Sequence, residues 1–467
     1  MPVNTLVLFV IGVISSLIGI GLLGVLAFFV GKRLFRTIVQ HLFNLVMGRL
    51  LEDDYAENLM ELWSAVRRTS VQNILEISLR AQTGEIIKRP LGTYRKLNHF
   101  DNLMFVPAQL ARLPIEPTVP VDMKVKLGSR AERPLVLDVP IFVAGMGYGV
   151  ALSEEAKIAL AKGARAAGTA INSGEGPYLH EERQAAGKYI WQISRSNYGR
   201  NPQALAAADM IEVQMGQGAR MGGHIEKAEK LAGKAQKLMG VAPNVSELIF
   251  GAVIPGVATP WDWPKYVADL RREIGGKPLC IKIMAGGRLE ADLAVAIEAG
   301  FDVISIEGAQ GGTAGASPTI TDDFGIPSIN ALVRSQRYLV EQGVRKEVSL
   351  IVSGGYMTPG QCLKAIALGA DAIALGTVPL FALVHKQLAE VLPWEPLTQL
   401  VWYDSKYKHR LDINLATKSV ENVLKAFALE MEEGVRAVGK TSLSELGPND
   451  LVALDDWTAE LTGVAKV

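Results

Sequence analysis

Cysteine is nearly absent: the 467 residues include only Cys280 and Cys362, far apart and each without a cysteine neighbour. That excludes a disulfide framework, a four-cysteine zinc site and an iron–sulfur cluster ligated by this chain alone. No metal site is expected, and the count fits a reducing compartment. Surplus charge is missing as well. Lys+Arg and Asp+Glu both total 48, so there is no basic excess to neutralise a phosphate backbone, which argues against nucleic-acid binding. Repeats and low-complexity tracts are absent too. Glycine, by contrast, is plentiful at 46 residues, roughly 10% against a usual value of about 7%. Many glycines follow short apolar runs, where backbone turns sharply or approaches a ligand. With 49% apolar and 21% charged residues, disorder is excluded as the dominant state. The length suggests about three domains, or one large domain with additions.

From Leu6 to Val30 the chain has 25 residues without a charge, and a membrane-spanning helix needs about 20. Lys32, Arg33 and Arg36 follow at once, whereas no Lys or Arg precedes the run. The basic flank predicts a single-pass anchor with the C-terminal bulk in the cytoplasm. A cleaved signal would need a basic start, a shorter apolar core and a small-residue cleavage site, none of which is evident. A core helix would rarely be so uniformly apolar. Residues 34–51 read as an amphipathic helix, lying on the bilayer or packed on the soluble part.

The expected organisation is a membrane anchor over 1–31, a helical lead-in over 32–99, a main domain over 100–400 and a helical extension over 401–467. Within the lead-in, 57–68 carries helical signals; further on, 119–125 looks extended. From about residue 136, short β-branched runs alternate with Ala-rich helical stretches. The runs cover 140–144, 169–172, 211–215, 280–284, 303–306, 349–352 and 372–375. Helical intervals cover 153–167, 289–299, 330–342 and 359–368, with Ser153 as a helix cap ahead of Glu154 and Glu155. Strand–helix alternation implies a parallel sheet covered on both faces. Seven clear strands, with an eighth short one expected near 328–331, predict an α/β fold of the (β/α)8 barrel type. A doubly wound sheet is the runner-up, but no G-x-G-x-x-G follows the first strand.

Barrel active sites lie at the C-terminal strand ends, and phosphate commonly binds after strands 7 and 8. Ser353-Gly354-Gly355 follows one late strand and Gly376-Thr377 the last, both close to helix starts. Backbone amides and the helix dipole there suit a dianionic phosphate, although both glycine turns are also ordinary tight turns. Lys282 interrupts an apolar strand. Its ammonium either faces the barrel interior, where it would stabilise an anionic reduced flavin, or snorkels or pairs with a carboxylate. Asn172-Ser173-Gly174-Glu175-Gly176 offers an amide, a hydroxyl and a carboxylate after another strand. Arg220, in the Gln217–Gly223 loop, has the planar fork to clamp a substrate carboxylate. A further glycine-rich loop spans Glu307 to Thr313, with Ser317-Pro318 beyond. His180 and His224 flank these loops as proton donors or as ordinary hydrogen-bonding residues. Trp261 and Trp263 read as packing, while residues 394–407 would cover the barrel or meet a partner.

Taken together and in order, INSGEG at 171–176, QGAR at 217–220, CIKI at 280–283, EGAQGGTAGASP at 307–318, VSGG at 352–355 and ALGT at 374–377 resemble the FMN-binding synthase domain of glutamate synthases, over roughly residues 100–385. The family fold is a (β/α)8 barrel. The resemblance implies an oxidoreductase acting on CH–NH2 groups. Ammonia adds to a 2-oxo acid, 2-oxoglutarate in the family, and reduced FMN delivers hydride to the imine. It further implies that Ser353, Gly354, Gly355, Gly376 and Thr377 hold the FMN phosphate. Ala144, Gly145, Ser173 and Gln217 would line the ring, with Lys282 near its N1/O2 edge. Arg220 and the Gly311-Gly312-Thr313 loop would face the 2-oxo acid, and Lys282, Arg220 and Glu175 would be the catalytic residues.

This chain departs from the family in several places. The N-terminal glutaminase domain of complete glutamate synthases has no counterpart, so ammonia is expected from outside. The family's three-cysteine cluster site is missing from residues 380–400, so the electron donor is expected to reach the flavin without an intrinsic relay. The 311–318 loop is one residue longer, and Pro177 follows GEG. Two other readings are a catalytically silent or electron-relaying FMN protein at the membrane, and another FMN barrel oxidoreductase. A hydroxy-acid oxidase would want a histidine and an arginine together on a late strand-end loop, and an IMP-dehydrogenase relative a cysteine within 307–325; neither is present.

Overall fold

The computed structural model describes residues 3–58, 60–196 and 200–467. It divides into two compact units, one ending at Ile87 and one running from Lys88 to Val467. The first unit is helical. A single helix, Val3–Glu52, runs through both the apolar segment and the amphipathic stretch, without a break where the hydropathy changes. Its apolar part is long enough to cross a bilayer: 25 residues rise about 37 Å, against a hydrocarbon core of about 30 Å. Helices Met60–Thr69 and Val71–Thr83 follow. Ser70 caps the second by accepting the amide of Asn73, and Gly84 ends it in the left-handed region at φ 66°.

The second unit is built on a closed barrel of eight parallel strands. They are β1 (Ile141–Val143), β2 (Ala170–Asn172), β3 (Lys188–Ile193), β4 (Met210–Gln214), β5 (Leu279–Met284), β6 (Val303–Glu307), β7 (Ser349–Ser353) and β8 (Ala372–Leu375). Seven coincide with the expected runs. The eighth is not at 328–331, which opens the helix Ser328–Glu341 and buries Ile329, Ala331 and Leu332 along one helical stripe. The missing strand is β3, KYIWQI, whose aromatic and β-branched residues suit a strand buried from Tyr189 onward. Of the extended stretch expected at 119–125, only Val125 lies in a strand, the first of a hairpin that pairs Val125–Leu127 with Leu135–Leu137.

Because strand side chains alternate faces, residues two apart point the same way. Phe142, Ala170, Ile190, Met210, Cys280, Val303 and Ile351 form one apolar layer inside the barrel, closed by Leu127, Leu135 and Leu137 of the hairpin. Two residues further along each strand, the inward positions become Ala144, Asn172, Gln192, Glu212, Lys282, Ser305 and Ser353. The chemistry is thus carried on the layer above the core. Glu212 Oε1 accepts from Asn172 Nδ2 and Gln192 Nε2, each at 2.7 Å, so the amides of β2 and β3 hold this buried carboxylate. Outside, the helix Glu154–Ala166 starts at the Ser153 cap as expected and packs on the long C-terminal helix Ile413–Ala437.

One buried charge ties the first two rim loops together. Lys157, fully buried, donates to the carbonyls of Met146 (2.6 Å) and Ser173 (2.9 Å). It also pairs with Glu182 at 2.8 Å. Burial pushes Glu182 up to about 7 against the pull of Lys157, and the same burial lowers Lys157. Removing one partner of such a pair leaves an uncompensated charge at a cost of about 3–5 kcal/mol. Lys157→Met should therefore lower the unfolding free energy by about that much, read from urea titrations of the full chain.

Candidate active site

The two late glycine turns share one rim. β7 and β8 are paired in register, Ser353 opposite Ala374, so Gly354-Gly355 and Gly376-Thr377 emerge side by side. Gly354 (φ 105°) and Gly355 (φ 80°) lie in the left-handed region, and a Cβ on Gly354 would come within 2.9 Å of Ser328 Oγ. That turn is braced: Ser328 Oγ donates to the Gly354 carbonyl at 2.5 Å, and Gln310 Oε1 accepts from the Ser328 amide at 2.9 Å. Gly376 differs. Its φ is −100°, and an added Cβ would meet nothing nearer than Ala144 Cβ at 3.9 Å. Neither strain nor packing requires glycine there, so the missing side chain serves the open space in front of it. Ser353 Oγ, buried at the same place, has no hydrogen-bond partner among the described residues.

Lys282, on β5, lines the same cavity. Its Nζ lies 2.9 Å from Glu307 Oε2 at the end of β6 and donates to Gln217 Oε1 at 3.2 Å. Burial alone would lower the ammonium's pKa. The carboxylates of Glu307 and Glu212 overcome that and hold it above the ordinary value. Both possibilities open from the sequence are thus realised together: the lysine faces the interior and is paired with a carboxylate. A Cβ on Gly311 would strike Glu307 Oε1 at 2.2 Å, so glycine there makes room for the acid.

Arg220 lines the same cavity, 7% exposed. Nε donates to Thr313 Oγ1 at 3.1 Å, Nη2 to the Gly315 carbonyl at 3.2 Å and Nη1 to His224 Nε2. Glu175 Oε2 lies 3.9 Å from Nη1, while Oε1 is buried without a partner. Burial raises the Glu175 pKa, opposed by the charges of Arg220 and Arg195. The 311–318 loop forms a strand, Thr313–Ala316, antiparallel to Arg89–Leu91. Trp402 closes over it, its indole N–H donating to the Ala314 carbonyl at 3.3 Å.

Of the residues singled out from the sequence, Ala144, Gly145, Glu175, Gln217, Arg220, Lys282, Gly311, Gly312, Thr313, Ser353, Gly354, Gly355, Gly376 and Thr377 line this one cavity. Ser173 does not. Its hydroxyl accepts the Gln192 amide at 2.8 Å, behind the rim. His180 is also away from the lining, hydrogen-bonded to Gln184. Sequence reasoning did not single out Glu307, Leu91, Met146, Tyr356 or Trp402 as site residues, yet all five line the cavity. Period-two counting from Val303 to Glu307 would have found the first. Trp402 falls within residues 394–407, expected to cover the barrel or meet a partner, and the antiparallel bridge to Leu152 sets its place.

His224 shows how tightly this corner is balanced. Burial, then the charges of Arg220, Arg195 and Lys88, drive its pKa down to about 2, so it stays a neutral acceptor for Arg220. A histidine depressed on folding contributes stability above its unfolded pKa of about 6.5 and loses it as pH falls toward the folded value. The chain should therefore lose thermal stability from pH 7.5 to pH 5. His224→Gln, which keeps an acceptor but cannot titrate, should lose less over the same interval.

A family model described as a conserved region in glutamate synthase matches residues 69–441. A glutamate synthase large subunit-like protein of Rhizobium meliloti is 34% identical, covering 84% of this chain and 92% of its own. An archaeal glutamate synthase [NADPH] of Archaeoglobus fulgidus is 28% identical, covering 84% and 82%. Among solved structures, a flavocytochrome b2 variant with benzoylformate is 18% identical over 76% of this chain and 77% of that one, at a TM-score of 0.48. The chain belongs to the glutamate synthase family and is an FMN-dependent oxidoreductase of that kind.

Proposed function

We propose that this chain makes an amino acid by reductive amination of a 2-oxo acid, using ammonia and electrons supplied from outside it. The name of its relatives points to 2-oxoglutarate and glutamate. The observation that carries the reading is that two adjacent glycine turns, a buried lysine and a buried arginine–glutamate pair all open onto one cavity. The residues fit FMN: Ser353 Oγ is a buried hydroxyl without a partner, and Gly376 leaves open a space that any side chain would fill.

Ser353, Gly354, Gly355, Gly376 and Thr377 would hold the phosphate, with the start of the helix Thr377–Val384 adding its dipole. Lys282, fixed by Glu307 and Gln217, would place a cation at the ring's pyrimidine edge. FMN supplies the hydride when bound. Arg220 and Thr313 orient the acid's carboxylate. Glu175, whose pKa burial raises against the pull of Arg220 and Arg195, stands on the cavity wall as the group that would relay a proton to the oxygen that leaves as water. Electrons come from a separate donor. The segment Leu6–Val30 would anchor the chain as a single pass, with Lys32, Arg33 and Arg36 on the cytoplasmic side.

Detergent-purified full chain should be yellow or take up added FMN, and Gly376→Val should abolish uptake without changing the melting temperature of the FMN-free protein. Given chemically reduced flavin, ammonium and a 2-oxo acid, it should form the corresponding amino acid. Protein that binds no FMN would overturn the reading, and FMN-bound protein without turnover would leave an electron-relay role in its place.

A further inference from the structure

A second buried arginine belongs to the corner of Arg220, and the hydrogen bonds there do not balance. Arg195 follows β3 and is 2% exposed. Its Nη1 donates to the Gly222 carbonyl at 2.5 Å, so it braces the loop that carries Arg220 and His224. Its Nε and Nη2 are buried and have no partner among the described residues. Those two nitrogens form one side of the planar fork, the side that fits both oxygens of a carboxylate. Glu175 Oε1 is buried and unpartnered in the same way. Burial disfavours the charged form of both residues; against it work Arg220 and Arg195 on Glu175, and Glu175 on Arg195.

Glu175 makes no hydrogen bond to Arg220 either. Its Oε2 lies 3.9 Å from Nη1, beyond hydrogen-bond reach. Arg220 has three of its five N–H groups engaged, by Thr313, Gly315 and His224, which leaves one on each terminal nitrogen. A substrate carboxylate held bidentately needs both. It would then share Nη1 with Glu175, and two buried carboxylates at one cation repel each other. Glu226 and Lys88, whose charges also reach this corner, pair with each other at 2.8 Å. Arg195 is the buried cation beside Glu175 that has N–H groups to spare.

We infer that Arg195 is a positioning residue of the site, a second seat for the Glu175 carboxylate. When the acid's carboxylate takes the two free N–H groups of Arg220, Glu175 pairs with Nε and Nη2 of Arg195. The exchange gives partners to three buried atoms that otherwise have none, and it removes the competitor from the anchor. This rests on the reading of Arg220 as the carboxylate anchor of a 2-oxo acid site and deepens it.

The test is a double-mutant cycle on 2-oxoglutarate binding to full chain in detergent, read as ligand-induced thermal stabilisation. Arg195→Gln should raise the half-saturating concentration about tenfold, the order expected when a charge-assisted pair is lost. Adding Glu175→Gln should recover most of that loss, because the neutral amide no longer competes for Arg220. Arg195→Lys, which keeps the cation, should lose less than Arg195→Gln. Arg195→Met takes the place of Arg195→Gln in the cycle if that variant does not fold. A merely structural arginine would lose binding that Glu175→Gln does not restore. Unrestored loss, or no loss on removing Arg195, would therefore overturn the inference. If 2-oxoglutarate fails to stabilise even the unmutated chain, the reading of the cavity as a 2-oxo acid site falls, and the inference with it. FMN uptake, measured by absorbance in the same preparation, tests the cofactor assignment separately.

Discussion

Side chains two apart on a strand must share a face, and everything at the rim follows from that spacing. β5 shows it most directly: Cys280 lies in the apolar layer, so Lys282 has to point into the same interior one layer up. The same step carries β4 from Met210 to Glu212, β6 from Val303 through Ser305 to Glu307, and β7 from Ile351 to Ser353. A closed sheet leaves these residues no other side to face. The polar layer is therefore fixed by the core beneath it, and a register slip of one residue would exchange both at once.

Burying this much charge has to be offset locally. Glu212 is offset by two amide donors, Lys282 by Glu307, and Lys157 by Glu182 and two carbonyls. Each arrangement leaves little freedom to the group it holds, and that restraint is what an active site needs, since fixed dipoles require no reorganisation during reaction. The offset is incomplete at several buried atoms, two of which, Glu175 Oε1 and Ser353 Oγ, lie on residues of the cavity wall.

Much of this was legible in the sequence because it depends on local spacing. The glycine turns after β7 and β8, the lysine within β5 and the arginine after β4 were placed by motif and period alone, and they converge on one cavity. What escaped depends on tertiary contact. β3 has no glycine at its end to mark it, while SINA at 328–331 opens a helix whose first amide is taken by Gln310. Ser173 belongs to a motif whose other members reach the cavity, but its hydroxyl is claimed by the Gln192 amide. Trp402 is distant in sequence from every rim loop and reaches the cavity only through its ties to Leu152 and Ala314.

The Lys157 knot also makes the mouth of the barrel lopsided in stiffness. On the side of β1 and β2 the loops are riveted by an ion pair that water does not reach. Opposite, the 311–318 loop is held by a short two-stranded ladder, two hydrogen bonds from Arg220 and the indole N–H of Trp402. Fluctuations that admit or release small molecules will concentrate at the weaker hinge of such a vessel. Local opening at the mouth is expected first on the side of the 311–318 loop, away from the buried Lys157–Glu182 pair.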